Sequence, residues 1–464
     1  MAERLLFLTG HLARPRLEKL LAAANEDNAD WKVQDIGVKV AALMTEAIIE
    51  RRLRRPVPAD RVILPGRCRV NVERLSASFG VPFVRGPDEL KDLPKFLGRG
   101  AAAPDLSKYD VRIFAEIVEA PQISVPEVVE RAKAYAAAGA DVIDLGCLPD
   151  TPFPHLEDSI IALKAEGLRV SIDSADCDEL RRGGRAGASY LLSLTKDTLN
   201  VASETGATPV LVPSIHSELE TLYEAVERAD KAGLSYLVDP ILDPIHFGFT
   251  ASLLRYAEVR KRLPDVEILM GTGNLTELTD ADTSGITAVL MGICSELHIC
   301  NVLLVHVSPH TFRTVQEHDA ARRIMFAARN DECLPKDYGS FLLQIHDRTP
   351  FASSPQEIVE LAAQVRDRNF RIDVSEEGIH IYNNGGHHLA QDAIALFPKL
   401  GVEADGPHAY YLGTELMKAE IAFRLGKRYV QDEPLDWGVA TDRRSEDLTR
   451  LAQAGHTLRA KRDA

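Results

Sequence analysis

A chain of 464 residues and 51.0 kDa exceeds what one ordinary hydrophobic core absorbs, so two or three domains are expected. With 45% hydrophobic and 27% charged residues, it carries enough apolar material to offset the entropy of ordering, which excludes long-range disorder. Its 69 acidic against 54 basic residues leave a net charge of -15, which repels phosphodiester backbones and anionic lipid, so nucleic acid is not expected as a partner.

The first apolar run, in MAERLLFLTG, has only a strand's length and leads into an Arg-rich helix rather than a cleavage site. No run reaches the roughly 20 apolar residues of a membrane span, so no membrane partner and a cytoplasmic location are expected. Along residues 1–100, short apolar runs alternate with amphipathic helices: a strand over Arg4–Thr9, a helix near Leu17–Ala24, an apolar stretch Lys32–Val38, a helix near Ala42–Arg52 and a strand at Arg61–Leu64. This pattern predicts an N-terminal Rossmann-like α/β domain. Gly10 and His11 sit between the first strand and a helix carrying Arg14 and Arg16. A single glycine makes no dinucleotide fingerprint, and the turn reads either as an anion-binding helix start or as a plain strand-to-helix turn. Gly98–Asp110, with Gly, Pro and small residues together, reads as a linker.

Between residues 111 and 330 the alternation becomes regular. Eight near-continuous apolar runs begin at Val111, Ala140, Leu168, Ala188, Thr208, Leu234, Val266 and Cys300, as expected for parallel strands covered by helices. Each leads into a helical pattern; in the first, Ser124 is placed as N-cap, Pro126 early in the helix and Gly139 at its stop. Eight units in about 220 residues match a (β/α)8 TIM barrel. An open doubly wound sheet has the same alternation, but the repeat count favours closure.

From residue 335 to 464 the rhythm changes. The run FLLQIHD, a helix near Pro355–Asp367, paired runs FRIDVS and GIHIYN around Glu377-Gly378, and a long helix near Thr414–Leu425 predict a C-terminal α+β domain with a hairpin. His387 and His388 follow Gly385-Gly386; a surface loop is the expectation, with a metal site including His380, or a phosphate on the backbone of Asn383–Gly386, as alternatives. The six cysteines are scattered, with no C-x-x-C pair, so neither a zinc nor a disulfide framework is indicated.

In a parallel barrel the strand carboxyl ends form one rim, and polar residues just after apolar strands are candidates for ligand contact. Asp144, Asp173, Ser193, Asp239, Gly271–Asn274 and His306 all stand there. A single such Asp can be a helix cap, and Asp173 before ADCDELRR reads either way. Three carboxylates at the ends of strands two, three and six imply a ligand with many donors, because each is expensive to desolvate alone.

At these residues a resemblance becomes specific. GADVIDLGCLPDTP (Gly139–Pro152), VSIDSADCDEL (Val170–Leu180) and VDPILDPIHFGF (Val238–Phe249), followed by ILMGTGNLTEL and VLLVHV, resemble in order and strand position the dihydropteroate synthase and pterin-dependent methyltransferase superfamily. The resemblance covers residues 111–330. It implies a reduced pterin as substrate, with Asp239 holding the 2-amino-4-oxo edge, Asp144, Asp173 and Ser193 on the remaining ring atoms, and Asn274 placed as the pterin-contacting Asn of the methyltransferase branch. It implies Thr151, Gly271, Thr272, Gly273 and His306 for the phosphate and second substrate, and Glu116 and Glu119 for Mg2+, with a rim cap and a plain tight turn as the competing readings of the glutamates and the glycine turn. A homodimer is implied as well.

The chain departs from the synthase pattern where those enzymes handle diphosphate and amine: GTGNLTEL lacks their lysine, Leu304 replaces their arginine, IVEAPQIS only loosely echoes their first-strand loop, and Leu148–Thr151 replaces their Glu-Ser-Thr-Arg. The implied activity is therefore a transferase joining a dihydropterin-methyl diphosphate to an arylamine other than p-aminobenzoate, such as the ribofuranosylaminobenzene phosphate of tetrahydromethanopterin biosynthesis. Methyl transfer to a separate corrinoid protein and non-catalytic pterin binding are the alternatives.

Overall fold

The computed structural model describes residues 3–23, 30–87, 90, 93–97 and 104–442, in two compact units, Met1–Asp105 and Leu106–Ala464. Of the expected elements, Ala24 at the first helix end, Gly98–Ala103 of the linker and residues 443–464 lie outside the described residues.

The first unit comprises β1 (Leu5–Thr9), α1 (Arg14–Ala23), β2 (Trp31–Asp35), α2 (Glu46–Arg52), β3 (Arg61–Leu64), α3 (Val72–Phe79), β4 (Phe83–Arg85) and α4 (Leu93–Phe96). Its strands form one parallel sheet in the order β2-β1-β3-β4. Alternation along the strands supplies two cores: Leu6, Leu8, Val62 and Leu64 pack with Ile49 and Leu75, while Phe7 and Ile63 pack with Leu17 and Leu21. The Gly10 turn is closed by the chain itself. A Cβ there would lie 2.7 Å from the Ala41 nitrogen, and the His11 and Leu12 amides donate to the Val38 and Lys39 carbonyls at 2.8 and 3.2 Å. Those amides are spent within the fold, so the anion-binding reading of this turn gives way to the plain turn.

The second unit opens with strands β5 (Arg112–Ile117), β6 (Val142–Gly146), β7 (Arg169–Asp173), β8 (Tyr190–Leu194), β9 (Thr208–Leu211), β10 (Leu237–Val238), β11 (Glu267–Gly271) and β12 (Asn301–Val305). They close into an eight-stranded parallel barrel in chain order, β12 pairing back onto β5 through Asn301↔Arg112 to Val305↔Glu116. The intervening helices are α5 (Val125–Ala138), α6 (Leu156–Ala165), α7 (Cys177–Ala186), α8 (Asn200–Thr205), α9 (Leu219–Lys231), α10 (Phe249–Arg262), the short α11 (Gly273–Thr276), α12 (Thr283–Glu296) and α13 (Thr314–Asn330). The expected barrel signals hold at α5: Ser124 and Glu127 form a capping box, and Gly139 ends the helix at φ 118°.

Strand alternation decides which side chains enter the lumen. Phe114, Val142, Tyr190, Leu192, Val210, Leu237 and Leu269 pack together as the barrel's interior, while Ile113, Ile143, Leu145, Ile172 and Val238 belong to the core beneath the helices. Position 116 therefore points inward two residues beyond Phe114, as do 144 beyond Val142 and 239 beyond Leu237. Where the barrel seam meets α13, the fully buried Arg322 donates to Asp141, Asp319 and the Val111 and Gly139 carbonyls at 2.5–2.9 Å, its guanidinium 3.5 Å above the Tyr109 ring.

The remainder carries α14 (Pro355–Ala362), β13 (Arg371–Ser375), β14 (Gly378–Asn383), β15 (Gly386–Ala390), α15 (Ala393–Leu396) and α16 (Gly406–Leu425). The antiparallel sheet β13-β14-β15 lays Ile372, Val374, Ile379 and Ile381 on Leu412, Leu416 and Ala419 of α16. The run FLLQIHD (341–347) forms turns, and one expectation changes here. His387 and His388 lie not in a surface loop but in β15, which pairs with β14. Buried His380 bonds His387 at 2.9 Å and the Ser375 hydroxyl at 2.7 Å, and Asn383–Gly386 is the hairpin turn between β14 and β15.

Candidate functional site

Four lumen-facing carboxylates meet at the carboxyl ends of β5, β6, β7 and β10: Glu116, Asp144, Asp173 and Asp239. Register sets Glu116 directly beside Asp144, and Asp173 beside Gly146. The Glu116 carboxylate occupies the space that a Cβ on Gly146 would need, so glycine there lets it lie over β6.

Their electrostatics follow from crowding in a dry lumen. Asp144 is fully buried; it accepts a 2.5 Å hydrogen bond from the Ser171 hydroxyl, and its second oxygen has no hydrogen-bond partner among the described residues. Burial, then Glu116 and Asp173, push its carboxyl well above the usual range, against the pull of Ser171. Burial and Asp173 raise Glu116 to about 7. Burial raises Asp173, although a Ser193 hydrogen bond works the other way. Burial lifts Asp239 to about 6, opposed by the Tyr256 hydroxyl at 2.6 Å and the Ile241 amide at 2.8 Å, both on Oδ1. Crowding of this kind favours the protonated form of the carboxyls, the form that donates as well as accepts.

The other sequence candidates take different places. Ser193 stands exposed on the rim and reaches Asp173. Asn274, also exposed, donates its amide to the Leu242 carbonyl at 2.8 Å and so braces the loop that follows β10. Thr272 is buried: its amide donates to the Met270 carbonyl, and its hydroxyl lies 3.0 Å from His318 and 3.2 Å from the Leu303 carbonyl. Gly273 is buried against Val305, and Gly271 ends β11. The Thr272 side chain thus holds the turn, while the expectation for this segment is a phosphate contact through its backbone. Thr151 sits in the loop after β6, its hydroxyl 3.3 Å from the Pro149 carbonyl. His306 is partly buried; burial holds its imidazole below the ordinary range, against Glu277 and Glu119.

Glu119 is engaged by Arg131 at 2.8 Å, and Glu116 joins the lumen carboxylates. Among the described residues no group of three His, Cys, Asp or Glu side chains is placed to hold a metal.

Sequence reasoning missed Ser171 and Tyr256. Ser171 was findable, since it shares the inward face of β7 with Asp173. Tyr256 lies mid-helix, where nothing in the α10 pattern marks it as reaching back to a strand end.

Comparison with known proteins follows the same division of the chain. Residues 3–88 match a family of unknown function (DUF6513). A protein of Methanocaldococcus jannaschii, itself described as uncharacterized, is 29% identical over 365 residues, 70% of this chain and 69% of that one. Among solved structures, the Yersinia pestis dihydropteroate synthase with a pterine-sulfa conjugate is similar at 19% identity, over 49% of this chain and 96% of that one, with a TM-score of 0.39. The Thermus thermophilus dihydropteroate synthase in complex with 6HMPPP is similar at 21% identity over 48% and 95%, with a TM-score of 0.39. The likeness is one of fold, at low identity, and spans about half of this chain.

Proposed function

We propose that the barrel binds a reduced pterin and acts as a transferase, condensing a dihydropterin-methyl diphosphate with an arylamine, the ribofuranosylaminobenzene phosphate of tetrahydromethanopterin biosynthesis being the substrate that the sequence departures favour. The observation that carries this reading is the carboxylate cluster, and above all the buried, unpartnered oxygen of Asp144. An orphaned buried polar atom costs about 1–3 kcal/mol, which a ligand supplying the missing partner regains. A pterin edge presents adjacent N–H donors beside carbonyl and ring-nitrogen acceptors, matching carboxyls whose protonated form donates as well as accepts. Asp239 has Oδ1 committed to Tyr256 and Ile241, which fixes the carboxylate plane and leaves Oδ2 for the 2-amino and N3 donors.

In the reaction, the aniline nitrogen attacks the 6-methylene carbon, the bond from that carbon to the diphosphate oxygen breaks, and the amine loses a proton. The barrel contributes orientation. Any magnesium would enter with the diphosphate.

Methyl transfer from a methylated tetrahydropterin to a separate corrinoid protein is the second reading. One observation favours it: at the carboxyl ends of β5–β12, no inward-facing position carries Lys or Arg to neutralise a diphosphate. Diphosphate release, followed with the dihydropterin-methyl diphosphate, magnesium and either p-aminobenzoate or the ribosylated phosphate amine, separates the readings. Release with the ribosylated amine alone is expected. No release with either amine, together with micromolar dihydropterin binding, selects methyl transfer or non-catalytic binding, and absence of pterin binding overturns all three.

A further inference from the structure

On the same rim, the loops after β9 and β10 carry an arrangement that the carboxylate cluster does not use. His216 Nε2 lies 2.6 Å from Asp243 Oδ1, and Arg255 of α10 donates to Asp243 Oδ2 at 2.8 Å. The Asp243 side chain is 7% exposed and the His216 ring 60% exposed, so a buried carboxylate holds one edge of an imidazole whose other edge is open. Burial works to raise the Asp243 carboxyl, but the bonds from Arg255 and His216 outweigh it and hold it below the ordinary range. An ionised carboxylate only accepts, so Nε2 must be the protonated nitrogen of the neutral ring, and Nδ1 carries the free lone pair.

The loop is shaped for this contact. Gly248, at φ 125°, lets the Asp243 carboxylate approach to 2.8 Å from where a Cβ would stand, and Ser252 Oγ accepts from the Asp243 amide at 3.2 Å. Arg255 also grips the Pro240 and Ile241 carbonyls at 3.0 and 2.7 Å, and the next residue, Tyr256, bonds Asp239. One turn of α10 therefore fixes both the Asp–His pair and the carboxylate assigned to the pterin edge.

We propose that His216, oriented by Asp243, is the proton acceptor for the second substrate of the barrel. The proposal rests on the condensation reading. As the N–C bond forms and the C–O bond to diphosphate breaks, the leaving diphosphate keeps the electron pair and the aniline proton passes to His216 Nδ1. Asp243, with Arg255 behind it, acts as a positioning residue that fixes the tautomer and stabilises the imidazolium; these are the charged groups that face the ring.

The test uses the full chain and three variants: His216→Gln, whose amide can still donate to Asp243; Asp243→Asn, which donates to Nε2 and so forces the proton onto Nδ1; and Asp243→Glu, which restores an acceptor. Dihydropterin affinity, kcat for diphosphate release across pH 5–9 and 15N spectra of the histidines are measured. Expected are unchanged pterin affinity, a kcat loss of about 100-fold or more in His216→Gln and Asp243→Asn, as for removal of a general base, with partial recovery in Asp243→Glu. The imidazole-dependent acid limb of kcat should vanish in His216→Gln, while the limb due to the lumen carboxyls stays. A wild-type rate and pH profile in His216→Gln overturns the proposal while leaving condensation intact. Where the wild type itself releases no diphosphate, the condensation reading fails and the role of His216 falls with it; where it does release diphosphate, a His216 signal, assigned by its loss in His216→Gln, that is Nε2-protonated and moves when amine joins the pterin-loaded protein is expected, and one that does not move overturns the proposal alone.

Discussion

At the scale of single residues, the chain divides its charges between those whose partners are built in and those whose partners must arrive. Arg322 is of the first kind, with two carboxylates and two carbonyls around a guanidinium that is 1% exposed. Arg322→Met is expected to destabilise the protein by about 3 kcal/mol, because the Val111 and Gly139 carbonyls lose the Arg322 donor and Asp141 loses its cation while keeping the Ile113 amide and Tyr109 hydroxyl, and urea denaturation reads the change directly. Asp239 is of the second kind. Replacing it by Asn keeps its volume but presents the pterin N–H edge with a weaker acceptor, so dihydropterin affinity measured by calorimetry should fall about 10- to 100-fold, the worth of a charge-assisted hydrogen bond. Unchanged affinity would remove Asp239 from the site. The three strand-end aspartates were legible as residues because each closes a continuous apolar run. What was not legible is how their neighbours treat them: the Ser171, Tyr256 and Ser193 contacts depend on which strands and helices become adjacent once the barrel closes.

At the scale of elements, the strands of the barrel were readable because parallel strands buried on both faces need unbroken apolar runs, and VIDLG, RVSID and EILMG supply them. β15 was not, because GHHLA has neither an apolar run nor a clean alternation; it exists by pairing with β14, whose register puts His387 opposite Tyr382 and His388 opposite Ile381. The run FLLQIHD, apolar at its start, forms no strand for the converse reason. Its apolar residues are drawn into turns where the Gln344 side chain donates to buried Glu317 at 2.8 Å and the Phe341 carbonyl accepts from Val439 at 2.8 Å. On β6 the element and the site share one constraint. Gly146→Ala puts a methyl group against Glu116 and 3.2 Å from the Val118 Cα, so the carboxylate must swing out of the lumen. The expected result is overpacking of about 1–3 kcal/mol in thermal unfolding and a larger loss in pterin binding than in stability.

At the scale of the whole molecule, the cluster makes stability depend on pH in a direction opposite to that of most surface carboxylates. Glu116 and Asp239, with native values of about 7 and 6 against ordinary values of 4.5 and 3.8, bind protons more tightly folded than unfolded. Their contribution is fully present below pH 4 and is lost as pH rises through 6 to 7, where the native cluster must ionise. Carboxyls held low by partners, such as Asp60 at about 2, lose their contribution only on further acidification, whereas the buried His318 and His380, lowered to about 4 from 6.5, add stability as pH rises toward 6.5, so the cluster is read as the difference between the wild type and a cluster variant. The ligand-free protein should therefore melt at a lower temperature at pH 8 than at pH 5.5, and Asp144→Asn should flatten that slope. An identical slope in the wild type and Asp144→Asn would show that the four carboxyls do not share a lumen. A bound pterin should raise the melting point most at pH 8, where the cluster is most strained.

Arg255 and Tyr256 are consecutive in the chain, yet each serves a different acid on the β10 loop. Deleting one residue upstream in α10 would turn that part of the helix by about 100° and withdraw both side chains at once. Evolution can thus retune either acid by substitution, but an insertion or deletion there would discard both anchors together, and related chains that keep the chemistry should hold the spacing from β10 to this pair unchanged.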